Sequence, residues 1–297
     1  MKRRKLRLLA TVTAGLLVTG AALGTVAYLK SSDLIGRRYA LDPLVPPINS
    51  DSEGLARGRH LVQDVMSCTV CHGDDLGGTV IVDARPFMRL AAPNLTRGRG
   101  GVAHALDDAD WVRAIRHGVR RDGRALAVMP STAYQHLGDA DLGAVIAYLK
   151  SVPAVDRTLP PRAFGPIARI QLARGKLPFL RAAEINHAAA RAVNTPPASV
   201  TVEYGRYLAN VAGCTDCHGR TLSGGRVAVA PPGTPPAGNL KALVSAGWTE
   251  VEFARALREG TGSGGRQLNE FMPYRSLRLT DAELRAVWTF VRSTPRP

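Results

Sequence analysis

The sequence predicts an all-α protein in which two similar helical units follow one another behind a single membrane-spanning helix. Three observations carry this prediction. Residues Leu8 to Leu29 contain no charged side chain. A set of short motifs recurs in the same order with an offset of 146 residues at its first cysteine, Cys68 against Cys214. Apolar residues fall at helical spacing in both copies, and long alternating strand patterns are absent.

The amino terminus is justified first. Lys2, Arg3, Arg4, Lys5 and Arg7 precede the uncharged stretch, whose 22 residues suffice to cross a hydrocarbon core of roughly 30 Å. An uncleaved anchor is favoured over a removed signal peptide, because the stretch exceeds a usual signal core and no small-x-small cleavage site precedes Lys30. The positive-inside rule then puts residues 1–30 across the membrane with a cytoplasmic tip, and everything after Ser31 outside.

Size and charge bound the remainder. A chain of 297 residues suits two domains, and 45% hydrophobic with 21% charged residues is a globular composition. The net charge is +15, and without the five amino-terminal cations 34 Lys and Arg against 24 Asp and Glu still leave +10. Such a surface steers acidic partners or anionic lipid headgroups in a salt-dependent way. Nucleic acid is disfavoured, since no basic helix carries base-reading side chains and no stacking aromatics interleave with the cations.

Each repeat begins with Gly-Arg-[His/Tyr]-Leu at Gly58 and Gly205 and leads to Cys68-Thr69-Val70-Cys71-His72 or Cys214-Thr215-Asp216-Cys217-His218. Pro93-Asn94-Leu95 then matches Gly238-Asn239-Leu240, Met129-Pro130 matches Met272-Pro273, and Ser151-Val152-Pro153 matches Ser293-Thr294-Pro295. The closing helix of the first unit shows Leu142, Val145, Ile146 and Leu149 at i, i+3, i+4, i+7, and Leu284, Val287, Trp288 and Val291 repeat the stripe. Middle helices are expected over Asp108–His117 and Thr249–Glu259, stopped by Gly118 and Gly260. Capping boxes are expected at Thr249/Glu252 and Thr280/Glu283.

All four cysteines lie in the two Cys-x-x-Cys-His turns. Two thiols on one short turn, followed by an imidazole, are what two thioether bonds to a haem and an axial nitrogen on its iron require. Two covalently bound haem c groups are therefore the expected cofactors, held by Cys68 and Cys71 and by Cys214 and Cys217, with His72 and His218 on the irons. A haem would also supply the apolar nucleus that a chain with 5% aromatics lacks. A four-cysteine zinc site would need both pairs to converge and leaves the histidines unexplained; a thioredoxin-like pair expects a βαβ setting.

Met129 and Met272 are the expected distal ligands, 57 and 54 residues beyond the histidines and each followed by proline. Met66 and Met88 have no counterparts and read as packing residues. Imidazole with thioether closes the iron and favours its reduced state, which argues for an electron carrier without catalytic residues. A dihaem oxidoreductase of peroxidase or thiosulfate-oxidising type is the alternative, and would need a displaced methionine. The loops containing Pro93 and Gly238 are expected to offer the carbonyls that orient the ligating imidazoles. His60, His104, His117, His136 and His187 lie outside the repeated pattern and read as structural or solvated. His60 is expected between first and last helices near Tyr148, and His117 on a polar helix face.

These residues resemble the class I cytochrome c family over about 52–153 and 200–295. The resemblance implies tandem cytochrome c-like domains at 52–153 and 200–297, with linkers at 31–51 and 154–199. The Gly-Arg-[His/Tyr]-Leu and [Pro/Gly]-Asn-Leu segments look like those of membrane-bound cytochrome subunits of periplasmic alcohol and gluconate dehydrogenases, which usually hold three haems where this chain has motifs for two. That likeness implies redox protein partners, namely a periplasmic dehydrogenase on one side and a terminal oxidase or soluble cytochrome on the other. It places the haem domains in the periplasm of a bacterial inner membrane. The basic, proline-marked linker is expected to brace the two domains rather than lie on the bilayer. Arg97–Gly101 and Gly262–Gly265 lack the context of phosphate cradles and read as flexible loops.

Overall fold

A computed structural model of the chain describes residues 2–227, 230 and 233–294; Pro295, which completes the last repeated motif, lies outside the described residues. The first helix, α1 (Lys2–Gly36), continues past the apolar run and is exposed along its apolar length, and it is long and apolar enough to cross a membrane. The first unit follows as α2 (Ser52–His60), one π-helical segment Leu61–Val65, and the short α3 (Thr69–His72). It continues through strands β1 (Thr79–Ala84) and β2 (Met88–Ala92) to α4 (Asp108–His117), α5 (Ser131–Tyr134) and α6 (Asp139–Ser151). The linker contributes β3 (Ala163–Phe164) and α7 (Pro166–Ala173). The second unit contains α8 (Val202–Val211), α9 (Cys214–His218), α10 (Leu240–Ser245), α11 (Glu250–Glu259) and α12 (Asp281–Ser293).

Both units are built on the same helix crossing. α2 packs on α6, and α8 on α12. The crossings close on glycine: a Cβ on Gly58 would overlap the Ala144 carbonyl, and one on Gly205 the Ala286 carbonyl. The stripes Leu142, Val145, Ile146, Leu149 and Leu284, Val287, Trp288, Val291 are all buried, within one continuous cluster that runs through both units. The expected capping boxes form at Thr249/Glu252 and Thr280/Glu283, and Gly118 and Gly260 end α4 and α11 at φ of 64° and 70°.

A small sheet is added to the helical frame. β1 and β2 form an antiparallel hairpin from Thr79↔Ala92 to Ala84↔Met88, and β3 joins β2 through Met88↔Phe164. The β-branched run Thr79-Val80-Ile81-Val82 favours the strand, but it is too short and too exposed to show a clear period of two. Met88 packs in this sheet's cluster and Met66 in the main core, as packing residues.

The linker braces the molecule. Arg169 on α7 lies 4.7 Å over the Tyr28 ring and donates to the Ser32 hydroxyl at 3.0 Å, fixing the end of α1. Arg181 reaches Asp216 of the second unit at 3.3 Å, and the Asn186 amide donates to the Gln135 side chain of the first at 3.2 Å. The segment Arg97–Gly101 is a packed turn, in contrast to the flexible loop expected. The Asn94 amide donates to Val155 O at 2.6 Å, and a Cβ on Gly98 would overlap the same carbonyl. Gly262–Gly265 is exposed from Ser263 onward.

Across the seam the repeat becomes a pseudo-two-fold contact. His60 on α2 donates from Nε2 to Glu283 of α12 at 2.9 Å, while Tyr207, its repeat counterpart, donates to Asp141 of α6, the counterpart of Glu283, at 2.5 Å. Arg57 and its counterpart Tyr204 meet at 3.5 Å between these pairs. Residue and counterpart thus exchange the same contact, as in an isologous interface. His60 thus faces the second unit's acid. Its Nδ1 is 3.1 Å from Asp64; two carboxylates can only accept, so both contacts are hydrogen bonds when the imidazole is charged.

Candidate haem-binding sites

The two Cys-x-x-Cys-His turns are locally alike. Left-handed residues lead into them, Ser67 at φ 52° and Gly213 at φ 77°, and Gly73 and Gly219 leave them at 78° and 79°. The chain then folds back so that the Gly78 amide donates to His72 O at 2.7 Å and the Gly224 amide to His218 O at 2.8 Å. Between these points Leu76 and Leu222 hold left-handed φ values of 55° and 58° with their side chains buried. A leucine in that conformation costs about 1–2 kcal/mol, and both units accept the cost at the same place.

The histidines are oriented as the loops Pro93 and Gly238 suggested. His72 Nδ1 lies 2.9 Å from Pro93 O and His218 Nδ1 lies 2.7 Å from Gly238 O. A carbonyl only accepts, so Nδ1 carries the hydrogen and the Nε2 lone pair is left for an electrophile. Burial pulls both imidazole pKa values down, which keeps them neutral. Burial pushes the Cys68 and Cys214 thiols up to about 12 and raises Cys71 and Cys217 as well. The cysteines are thus neutral thiols, in two pairs, and among the described residues no three His, Cys, Asp or Glu side chains are grouped to hold a metal ion by themselves.

Met129 and Met272 are half-buried and pack against the same core as Cys68 and Cys214. Each opens the same turn: the Ser131 amide donates to Met129 O at 2.9 Å and the Tyr274 amide to Met272 O at 2.8 Å. Pro130 and Pro273 share a φ of -80°, with ψ of 46° and 42°. In the first unit the Tyr134 hydroxyl donates to Met66 O at 2.7 Å, tying this loop to the residue two before Cys68.

The residues present fit a haem. Each unit combines two neutral thiols on one turn, an imidazole aimed by a carbonyl, and a thioether in the wall of an apolar core. The indole nitrogen of Trp111 is buried in that core with no partner among the described residues, as expected where the acceptor belongs to a bound group. His117, expected on a polar face, is instead buried, 3.1 Å from His187 through their Nδ1 atoms. Burial first, then the neighbouring cations, lowers its pKa to about 4. Trp111 and the left-handed leucines were not singled out from the sequence; the only trace is that Leu76 and Leu222 stand at matched positions.

Two repeated helical units of this kind, each carrying a Cys-x-x-Cys-His turn and a methionine loop on one apolar core, define a dihaem c-type cytochrome of class I, an electron-transfer protein. Comparison with known proteins agrees in both halves: residues 53–149 match the family described as cytochrome c oxidase, cbb3-type, subunit III, and residues 202–295 match the cytochrome c family. The chain is 33% identical over 218 residues to a subunit of nicotinate dehydrogenase from Pseudomonas putida, covering 70% of this chain and 17% of that protein. It is 26% identical to the fructose dehydrogenase cytochrome subunit of Gluconobacter japonicus, covering 88% of this chain and 57% of the relative. The chain thus spans little more than half of one of these relatives and a small part of the other.

Proposed function

We propose that the protein is a membrane-anchored electron-transfer subunit that receives electrons from a dehydrogenase and passes them on through two covalently attached haems outside the cytoplasm. Cys68 and Cys71 would attach the first haem and Cys214 and Cys217 the second; His72 with Met129, and His218 with Met272, would supply the ligands to the irons. When bound, each haem supplies a one-electron iron couple whose reduced form the methionine sulfur favours. The chain's own part is to hold the imidazole in one tautomer and to keep the thioether in an apolar wall.

The single observation that carries this reading is the matched pair of imidazole-to-carbonyl hydrogen bonds, at 2.9 Å and 2.7 Å, in turns that also present two thiols. The dehydrogenase partnership rests on the names of the two relatives, and the anchorage on α1. A cleft of about 870 Å³ beside the second turn, where Arg206, Arg220 and Lys241 stand with Arg181 and the acids Glu184 and Asp216 that pair with it, offers an acidic partner a place to dock.

The mature protein should carry two haems that survive acid–acetone extraction and should remain in the membrane pellet after alkaline carbonate. Met129→Ala and Met272→Ala should each abolish one methionine-to-iron absorption band and open one iron to carbon monoxide. A single retained haem, or two unchanged spectra, would overturn the assignment.

A further inference from the structure

The reciprocity across the seam extends to the candidate sites themselves. Thr132, three residues beyond Met129, donates from Oγ1 to Asp216 Oδ2 at 2.6 Å, and Asp216 lies inside the second unit's Cys214–Cys217 turn. Conversely Ser67, immediately before Cys68, donates from Oγ to the Ser276 carbonyl at 2.9 Å, four residues beyond Met272. Each methionine loop is therefore tied to the other unit's cysteine–histidine turn. Arg278 adds to the second tie, its amide donating to Asp64 O at 2.9 Å and its Nε lying 2.8 Å from the Asp64 carboxylate. Arg181, 3.3 Å from Asp216, holds that carboxylate in place.

Neither tie is required by the fold of the unit that provides it. The repeat counterpart of Asp216 is Val70, which is 60% exposed, and that of Ser67 is Gly213. Glycine takes the left-handed conformation of this position freely, whereas serine at φ 52° is strained. A strained serine that turns its hydroxyl across the seam, opposite a glycine that does not, marks a position shaped by the neighbouring unit.

We propose that Asp216 and Ser67 are positioning residues for the opposite site: Asp216 steadies the Met129 loop and Ser67 steadies the Met272 loop. Methionine ligation in one unit thereby depends on the turn of the other. The inference rests on the assignment of Met129 and Met272 as ligands made above, and it goes beyond that assignment.

Imidazole displaces methionine from ferric iron, so its apparent affinity in the haem-loaded protein reports how readily each methionine loop opens. In a Met272→Ala background the remaining methionine band belongs to the first site. There, Asp216→Val, which installs the residue of the other repeat, is expected to raise imidazole affinity about tenfold, the worth of one hydrogen bond to a charged group. Asp216→Asn, the milder variant, should give a smaller rise at the same site. Thr132→Val should reproduce the effect of Asp216→Val, and the double variant should add nothing to it, because both remove the Thr132–Asp216 bond that reaches the Met129 loop. In a Met129→Ala background, Ser67→Gly, which keeps the left-handed backbone, should raise affinity at the second site about threefold.

Unchanged first-site affinity in correctly loaded Asp216→Val and Asp216→Asn proteins would overturn the proposal, as would fully additive effects of Asp216→Val and Thr132→Val. Failure of the ligand assignment looks different: methionine bands would then persist in the Met129→Ala and Met272→Ala parents themselves.

Discussion

Gly58 and Gly205 show how much a single position decides. Both sit where the first helix of a unit crosses the last, and a methyl group on either would meet a backbone carbonyl that no side-chain rotation can move. Gly205→Ala should therefore push α8 from α12 and cost about 3 kcal/mol, at the upper end of overpacking penalties, measured as a lower denaturation midpoint at unchanged slope. At Gly260 a methyl group would meet the ring of Tyr274, a side chain that can give way, and there the left-handed φ of 70° is what favours glycine. The recurrence of Gly-Arg-[His/Tyr]-Leu made these glycines visible from the chain, whereas the strain at Leu76 and Leu222 was not, since no residue type there announces a left-handed backbone.

Among the elements, α12 has two tasks. Its capping box joins Thr280 to Glu283, the Glu283 amide donating to Thr280 Oγ1 at 3.3 Å and the Thr280 amide donating back to the carboxylate at 2.9 Å. The same carboxylate receives His60 from the first unit. Thr280→Ala should destabilise the protein by about 1 kcal/mol, as loss of an N-cap does, and a thermal melt compared with Thr249→Ala on α11 would measure it. Both caps, the apolar stripes and the stops at Gly118 and Gly260 were legible because they depend on residues within four positions of each other. The hairpin was not, because β1 is too short and exposed to show a period of two, and β3 was not, because it is recruited from the linker more than 70 residues after β2. The turn at Arg97–Gly101 looked mobile from its glycines, yet Val155 from the linker packs it closed.

At the scale of the whole molecule, the seam sets a dependence on pH. His60 is held above the ordinary histidine value of 6.5, first by its hydrogen bond to Glu283, with burial opposing. Its contribution to stability is therefore fully present below pH 6.5 and is lost as pH rises through the raised value. Burial works against the charge of Glu283, but the His60 bond and the Thr280 amide outweigh it and hold the group below 4.5; that contribution is present above pH 4.5 and lost as pH falls through the lowered value. The seam is tightest between these limits. His60→Gln should abolish the decline in melting temperature on the alkaline side of pH 6.5 and also weaken the acid-side decline, because Glu283 then keeps only the Thr280 amide and Arg57 against burial, which melts at a series of pH values would show.

What the chain determined by itself was its local chemistry and its duplication: the thiol, imidazole and thioether positions, the helix ends, the apolar faces and the charge-free first helix. Each of these is written in spacings of a few residues or in a fixed repeat offset, so periodicity and steric preference suffice to read it. Only the tertiary structure decided that His60 and Tyr207 reach the acids of the opposite unit, that Asp216 and Ser67 differ from their counterparts because each meets the other unit, and that the linker locks both units and α1 together. Those contacts join residues 35 to 223 positions apart. Their partners were chosen by the docking of two folded surfaces, and no local pattern encodes that choice.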